Sequence, residues 1–446
     1  MSFLRRHWPV LVVLGAGAAL RLIVMVAYTP FFWFTDTVRY LRYADLGQPD
    51  EIRPWGYSGF LRVTQSFLSQ QGVVALQHLL VLALAALLYA FLVRRGVGRV
   101  VAALALVPLC LSPLVVNIEH HLLSDWLFMV LFTAAAVLLV WWDGPPPLWA
   151  CALAGLVLAC AIVTRQVALL LVLPLVAYLL LRGARPVRLA AFLLPAAIPV
   201  IAYLGWMHAT YGVYSFSTWS GKMLYARVAP IARCERLGNL TAEQRQLCDP
   251  RAPERRPGPG FYLWTGGTGP ARALPDGVVL SFARRVVTHQ PVDYARSVAR
   301  QTAEIFYPGR DQRPGEACVA YWEYPDPLPG GCRTDSVGTK IWREHPFKAQ
   351  RPLADGLSTY QQLDAAAGPT FLVCVIVVLA ALLRRGARRL RLDALLFAAF
   401  GLGLTIAAFA TAEFSYRYTV PLYATVPIAA ALALTGLVRP PEAKTT

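Results

Sequence analysis

The stretch VVALQHLLVLALAALLYAFLV, residues 73–93, decides the fold. As a helix rising about 1.5 Å per residue it is long enough to cross about 30 Å of hydrocarbon, and it carries no Asp, Glu, Lys or Arg. Comparable runs recur near residues 8–28, 100–116, 122–142, 148–163, 167–182, 188–207, 368–383, 392–411 and 418–438. Composition agrees with lipid as the main solvent. A soluble chain of 446 residues that is 57% hydrophobic and only 15% charged would leave apolar surface in water, which is unfavourable. The expectation is an all-α polytopic membrane protein of about ten spans.

Basic residues resist translocation, so their distribution sets the orientation. Arg5 and Arg6 precede the first span, and Arg94, Arg95 and Arg99 follow the second. Arg182, Arg185 and Arg188 separate the sixth and seventh spans, and Arg384, Arg385, Arg388, Arg389 and Arg391 the eighth and ninth. With ten spans these groups, together with Arg439 and Lys444, share one side, and both termini are expected in the cytoplasm of a cell whose inner (plasma) membrane holds the chain. The turn at Trp142–Pro147, which has no Lys or Arg, is the exception. A signal peptide is the rival reading of residues 1–28, disfavoured by the length of the apolar run and the lack of a clean cleavage site. The net charge of +17 is explained by this topology and by contacts with anionic membrane lipids, so no nucleic-acid partner is expected.

The spans divide the chain into an N-terminal transmembrane module (1–207, with a first extracytoplasmic segment at 29–72), a large extracytoplasmic loop (208–367) and C-terminal helices (368–446). The loop is rich in Pro, Gly and charge at Arg251–Pro259 and Tyr307–Gly331, where irregular structure is expected. Between those stretches, Val278–Phe306 has helical apolar spacing broken by Pro291, which suits an amphipathic helix or pair near the interface. Cys110, Cys151, Cys160 and Cys374 fall in spans. Cys234, Cys248, Cys318 and Cys332 fall in the loop as two equally spaced pairs, candidates for disulfides in an oxidising compartment. Local pairing is preferred among the three connectivities, and a zinc site lacks ligands at short spacing. There is no clear internal repeat, and the abundance of Ala, Arg and Pro is compatible with a high-GC bacterium.

Four stretches carry candidate chemistry. Asp36, just past the first span, precedes Tyr40 and then Arg53-Pro54-Trp55-Gly56-Tyr57. Glu119-His120-His121 leads to Asp125 at the start of the fourth span, Thr164-Arg165-Gln166 separates two spans, and Glu413 precedes Arg417-Tyr418 and Pro421 at the last. On position alone Asp36 reads first as a solvated loop acid or a helix N-cap, and Asp125 reads equally as an N-cap and as a site acid. Arg417 could pair with Glu413, and Arg21, inside the first span, could snorkel or pair with an acid of a neighbouring helix. The adjacent His120 and His121 are read as interfacial or as a weak metal candidate, since neighbours on a helix point apart. Tyr416 and Tyr418 are read as interfacial anchors.

In order and sidedness these stretches resemble the GT-C glycosyltransferases, polytopic enzymes that use polyprenyl-phosphate-linked sugars and include protein mannosyltransferases and aminoarabinose transferases. The likeness covers about residues 10–210 and 370–435 and leaves the long loop open. It implies a GT-C-like transmembrane helix bundle with Asp36 as the base and Asp125 as a second acid. Arg165 and Arg417 become phosphate ligands, and Arg53, Tyr57, Tyr40, Arg21 and Lys222 further substrate-binding candidates. A base for the incoming hydroxyl and positive charge for the departing phosphate are what such a transfer needs, and guanidinium offers phosphate paired donors. The implied partners are a polyprenyl-phosphate-linked sugar and an extracytoplasmic glycan, lipid or protein acceptor, with no cofactor expected and a divalent metal left open. The competing functions are a lipid or sugar transporter (flippase), which commonly has paired halves or interrupted midplane helices, and a non-catalytic envelope-assembly subunit.

Overall fold

The computed structural model describes residues 2–265, 270–310, 319–324, 348–384 and 388–438. The described residues are all-α apart from an isolated bridge between Phe32 and His121 and one short antiparallel pair, Tyr28–Thr29 with Lys348–Ala349, which stitches the return of the long loop to the exit of the first span. Among the described residues six helices are long and apolar enough to cross a membrane: Leu4–Ala27, Gln70–Arg94, Pro186–Tyr211, Arg351–Leu383, Arg388–Thr411 and Tyr416–Val438. The all-α membrane architecture expected from the sequence is therefore found.

The other four expected spans are helical but not simple. Residues 100–116 lie in a bent pair, Arg99–Leu111 and Pro113–Glu119, that turns by 53° at Ser112. Pro113 has no N–H to continue the first helix, and the Ser112 hydroxyl accepts from Val115 N at 3.4 Å to start the second. Ser124–Val140, Leu148–Thr164 and Gln166–Leu181 are shorter apolar helices. At 17 residues each, the first two reach only about 25 Å.

The last span is the axis of the bundle. Of its most apolar window 83% is buried, against 22% for Pro186–Tyr211, which turns Leu194, Ile198 and Ile201 outward as a lipid-facing surface would. That outer helix is held close at Gly155, where a Cβ would fall 2.1 Å from the Phe192 carbonyl oxygen.

The turn at Trp142–Pro147 lies at the basic end despite its composition. Arg94 donates to Trp141 O at 3.0 Å, Arg182 to Asp143 O at 2.7 Å and Arg188 to Pro146 O at 3.0 Å, while Arg389 pairs with Asp143 at 2.6 Å. Neighbouring connections thus supply the cations the turn lacks, and three basic segments gather at one end of the molecule.

At the other end the long loop forms a small core of its own. Helix Ser220–Val228 packs on Asp276–His289 through Tyr225, Val228, Phe282 and Val286. The Asp276 carboxylate accepts from the backbone N–H groups of Gly221 and Lys222 at 2.8 and 3.0 Å. Cys234 and Cys248 are joined in a disulfide, whereas Cys318 and Cys332 lie outside the described residues. The expected break at Pro291 separates Asp276–His289 from Pro291–Glu304. The second of these helices is tied to the bundle by Tyr294, whose hydroxyl donates to Ala410 O at 2.7 Å. Arg227, in Ser220–Val228, donates to Phe409 O at 2.5 Å.

Candidate active site

Four breaks in the helices deliver the charged residues to one place. The first span ends before the aromatic run Phe31–Phe34, and a new helix, Thr35–Leu46, begins with Phe34 as its N-cap and Asp36 in its first turn. Asp36 therefore does not cap the helix, and its side chain is free to face inward. Thr37 fixes that turn, its hydroxyl accepting from Phe34 N and donating to Leu122 O, both at 3.2 Å. Asp125 likewise sits in the first turn of Ser124–Val140, behind Leu123 as N-cap. Both carboxylates thus lie at the positive end of a helix dipole. Arg165 is extended (φ −147°, ψ 115°), which ends Leu148–Thr164 and turns its side chain out of the helix. Arg417 lies in the tight turn Tyr416–Thr419 that leads into the last span.

These side chains form one cluster. Arg53 donates to Asp36 Oδ1 at 3.0 and 3.2 Å, and Arg417 donates to Asp36 Oδ2 at 2.9 Å across 381 residues of sequence. Arg165 pairs with Asp125 Oδ1, and Arg417 Nε stands 3.8 Å from the same oxygen. Phe34, Tyr418 and Trp322 surround the Arg417 guanidinium with ring centroids 5.2, 5.1 and 5.7 Å away, and the Arg165 guanidinium also lies over Tyr418 at 5.3 Å. Asp36, Asp125 and Arg417 are buried, whereas Arg53 and Arg165 keep 17% and 16% of their side chains exposed, so those two form the rim and Arg417 the floor.

Three guanidiniums against two carboxylates leave one positive charge in excess. Burial alone would raise the Asp36 pKa, but Arg53, then Arg417 and more distantly Arg165, outweigh it and hold the carboxyl well below the usual carboxylate range. A cleft opens beside the rim, with Arg53, Glu413 and Tyr418 on its bundle side and Met223, Pro259 and Leu263 of the long loop opposite. A second recess borders the same turn through Tyr416 and Thr419 and contains the Arg310–Asp364 ion pair.

The remaining candidates stand apart. The Arg21 side chain is spent on Glu119 (2.6 and 2.8 Å), Cys110 O (2.7 Å) and Gly17 O (3.1 Å), so it pairs with an acid of a neighbouring helix instead of serving a substrate. Lys222 lies over the Trp219 ring at 5.0 Å and reaches Arg272 O at 3.4 Å, away from the cluster. Tyr40 and Tyr57 adjoin the site, but their hydroxyls are engaged inside the protein. Tyr40 meets Ser124 Oγ at 2.8 Å, and burial, with the Asp36 charge, pushes its phenol up to about 12. Tyr57 donates to Gln77 Oε1 at 2.6 Å.

Gln77 was not singled out by sequence. Its amide donates to Glu119 O at 2.7 Å and His121 O at 3.0 Å, fixing the backbone that leads to Asp125. The signal was present, since Gln77-His78 is a polar pair inside the apolar run 73–93. Among the described residues no group of three or more His, Cys, Asp or Glu side chains gathers as metal ligands do. His120 instead meets Tyr28 O at 2.8 Å.

No family model and no curated protein matches the chain. Among solved structures it is similar to an oligosaccharyltransferase of Archaeoglobus fulgidus, crystallised with a tethered acceptor peptide containing the NVT sequon, at a TM-score of 0.43 and 10% sequence identity. The likeness covers 98% of this chain and 50% of that one, so the chain spans about half the length of that enzyme. Likeness at that level fixes neither a family nor an activity.

Proposed function

We propose that the chain is a GT-C-type glycosyltransferase of the inner (plasma) membrane. It would move a sugar, with inversion, from a polyprenyl-phosphate donor to a hydroxyl of an extracytoplasmic glycan, lipid or protein, its basic end facing the cytoplasm. The observation that carries this reading is the joining of Asp36 and Asp125 to Arg53, Arg165 and Arg417 beside an open cleft at the end opposite the basic connections.

The charge of the cluster suits that donor. A sugar-phospholipid is a phosphodiester with one negative charge, and the cluster has one positive charge in excess. Arg53 and Arg165 at the rim would meet the phosphate first, with Arg417 below them. As phosphate oxygens take over Arg53 and Arg417, the Asp36 carboxylate loses the partners that hold its pKa down and becomes a competent base. The acceptor oxygen then bonds to the anomeric carbon as the bond from that carbon to the phosphate oxygen breaks. The hydroxyl proton passes to Asp36, and the phosphate leaves with the second negative charge. The net charge of the site is unchanged through the step, a situation fixed guanidiniums stabilise without reorganisation.

Incubating the purified protein with radiolabelled polyprenyl-phosphate mannose, arabinose or galactose and envelope extracts should yield a labelled acceptor. Failure with every donor, by protein that still binds polyprenyl phosphate, would refute the transferase reading.

A further inference from the structure

Protein interiors pair nearly all of their buried polar atoms. Four buried atoms around Arg417 nevertheless have no hydrogen-bond partner among the described residues: Asp125 Oδ2, His121 Nε2, Arg417 Nη1 and the indole nitrogen of Trp322. The side chains that carry them are neighbours. Arg417 Nε stands 3.8 Å from Asp125 Oδ1, its guanidinium lies 5.7 Å from the Trp322 ring, and the rings of Trp322 and His121 have centroids 5.9 Å apart. All four side chains are 97% buried or more, so the surface does not serve them.

Neighbours fix the chemical state of His121. Its Nδ1 lies 3.0 Å from the Asn117 carbonyl oxygen, which can only accept, so the proton is on Nδ1. Burial pulls the ring's pKa down to about 4, and Nε2 of the neutral imidazole presents a lone pair. Asp125 Oδ2 is a second acceptor, its sister oxygen being held by Arg165. The open set is therefore two acceptors and two N–H donors.

A phosphate oxygen satisfies Arg417, but an anion cannot satisfy the two acceptors. What must lie next to the phosphate is the transferred sugar, because it is bonded to a phosphate oxygen. We propose that His121 Nε2 and Asp125 Oδ2 receive two hydroxyls of that sugar and that the Trp322 N–H donates to a third sugar oxygen, which makes this a socket for a neutral, hydroxyl-bearing sugar. The inference rests on the lipid-phosphate reading above and adds the sugar class to it. An amino sugar would set its ammonium against Arg165 and Arg417 as well as beside Asp125, so it is the control that tests whether the socket takes a neutral sugar. A deoxy sugar leaves a buried acceptor unpaired, the kind of loss that gives large discrimination.

The test is equilibrium binding to the purified full-length chain. The ligands are undecaprenyl phosphate, the same lipid carrying mannose, arabinose or galactose, a monodeoxy analogue of each, and a 4-amino-4-deoxyarabinose form. At least one neutral sugar should bind about tenfold or more tightly than the bare lipid, and its deoxy analogue should lose most of that gain. His121→Phe should bind bare lipid as the wild type does and lose the preference, and His121→Gln, which restores an acceptor oxygen, should recover part of it. Equal binding of bare and sugar-bearing lipids by the wild type overturns the socket, as does a preference for the amino sugar. If even bare undecaprenyl phosphate does not bind, the underlying lipid-phosphate reading fails as well. The wild-type comparisons decide the matter even if a variant does not fold.

Discussion

Asp36 is held by two arginines that a phosphate would also seek, and its behaviour should change when one arrives. In the free protein its carboxyl is held well below the usual range, so the group stays ionised far into acid. With phosphate bound the same group regains proton affinity. The acid limb of kcat/KM, which reports the free enzyme, should therefore lie at lower pH than the acid limb of kcat, which reports the complex. Coincident limbs in pH-rate profiles would remove the exchange of partners from the mechanism. Asp36→Asn keeps the shape and removes the base, and should lower transfer by about 100-fold or more while size-exclusion behaviour is unchanged. Arg417→Gln should cost a comparable factor through the phosphate, whereas Lys222→Gln, at a side chain engaged with Trp219 and Arg272 O, should leave transfer within twofold.

The elements explain which residues could be found in the sequence and which could not. Asp36, Asp125, Arg165 and Arg417 stood out through the resemblance of their stretches to one family, and their places at the ends of predicted spans on one side agreed with it. Arg21 followed the same logic and went elsewhere, because a charge at membrane depth seeks an acid and Glu119, 98 residues on, lies within reach in the bent pair. That bend was not read although Ser112-Pro113 carried its signal, because proline is tolerated inside membrane helices and does not by itself say that the run breaks. Trp322 was not legible either, because nothing local in a Pro- and Gly-rich stretch tells that an indole will pack on a guanidinium. One small residue positions the rim. A Cβ on Gly56 would fall 2.6 Å from the Val163 carbonyl oxygen and 2.7 Å from Thr164 N, in the turn that releases Arg165. Gly56→Ala should therefore lower kcat/KM by about tenfold or more and reduce the melting temperature. Gly403→Ala, which meets nothing within 4 Å, should change neither, and equal effects of the two would deny Gly56 its role.

For the molecule as a whole, the sequence conveyed an all-α membrane architecture better than it conveyed the number of plain spans. Among the described residues six helices are long enough alone, and the rest of the ten are bent or short, because the charged cluster is built from helix ends. The gathering of arginines around Trp142–Pro147 gives the sidedness a direct test. In a cysteine-free background, Gly144→Cys should be labelled by membrane-impermeant maleimide only after the cells are opened, and Glu243→Cys, in the long loop, should be labelled in intact cells. The reverse pattern would place the cleft in the cytoplasm.

The bond between Arg417 and Asp36 also has a consequence in time. A ribosome makes Arg417 381 residues after Asp36, so a growing chain can insert several helices while the cluster still lacks its floor. Until the closing turn emerges, the early acid has only its near neighbour to neutralise it. A chain stopped short of that turn would sit in the bilayer with its early acid poorly braced, which ties the completion of the cluster to the arrival of Arg417.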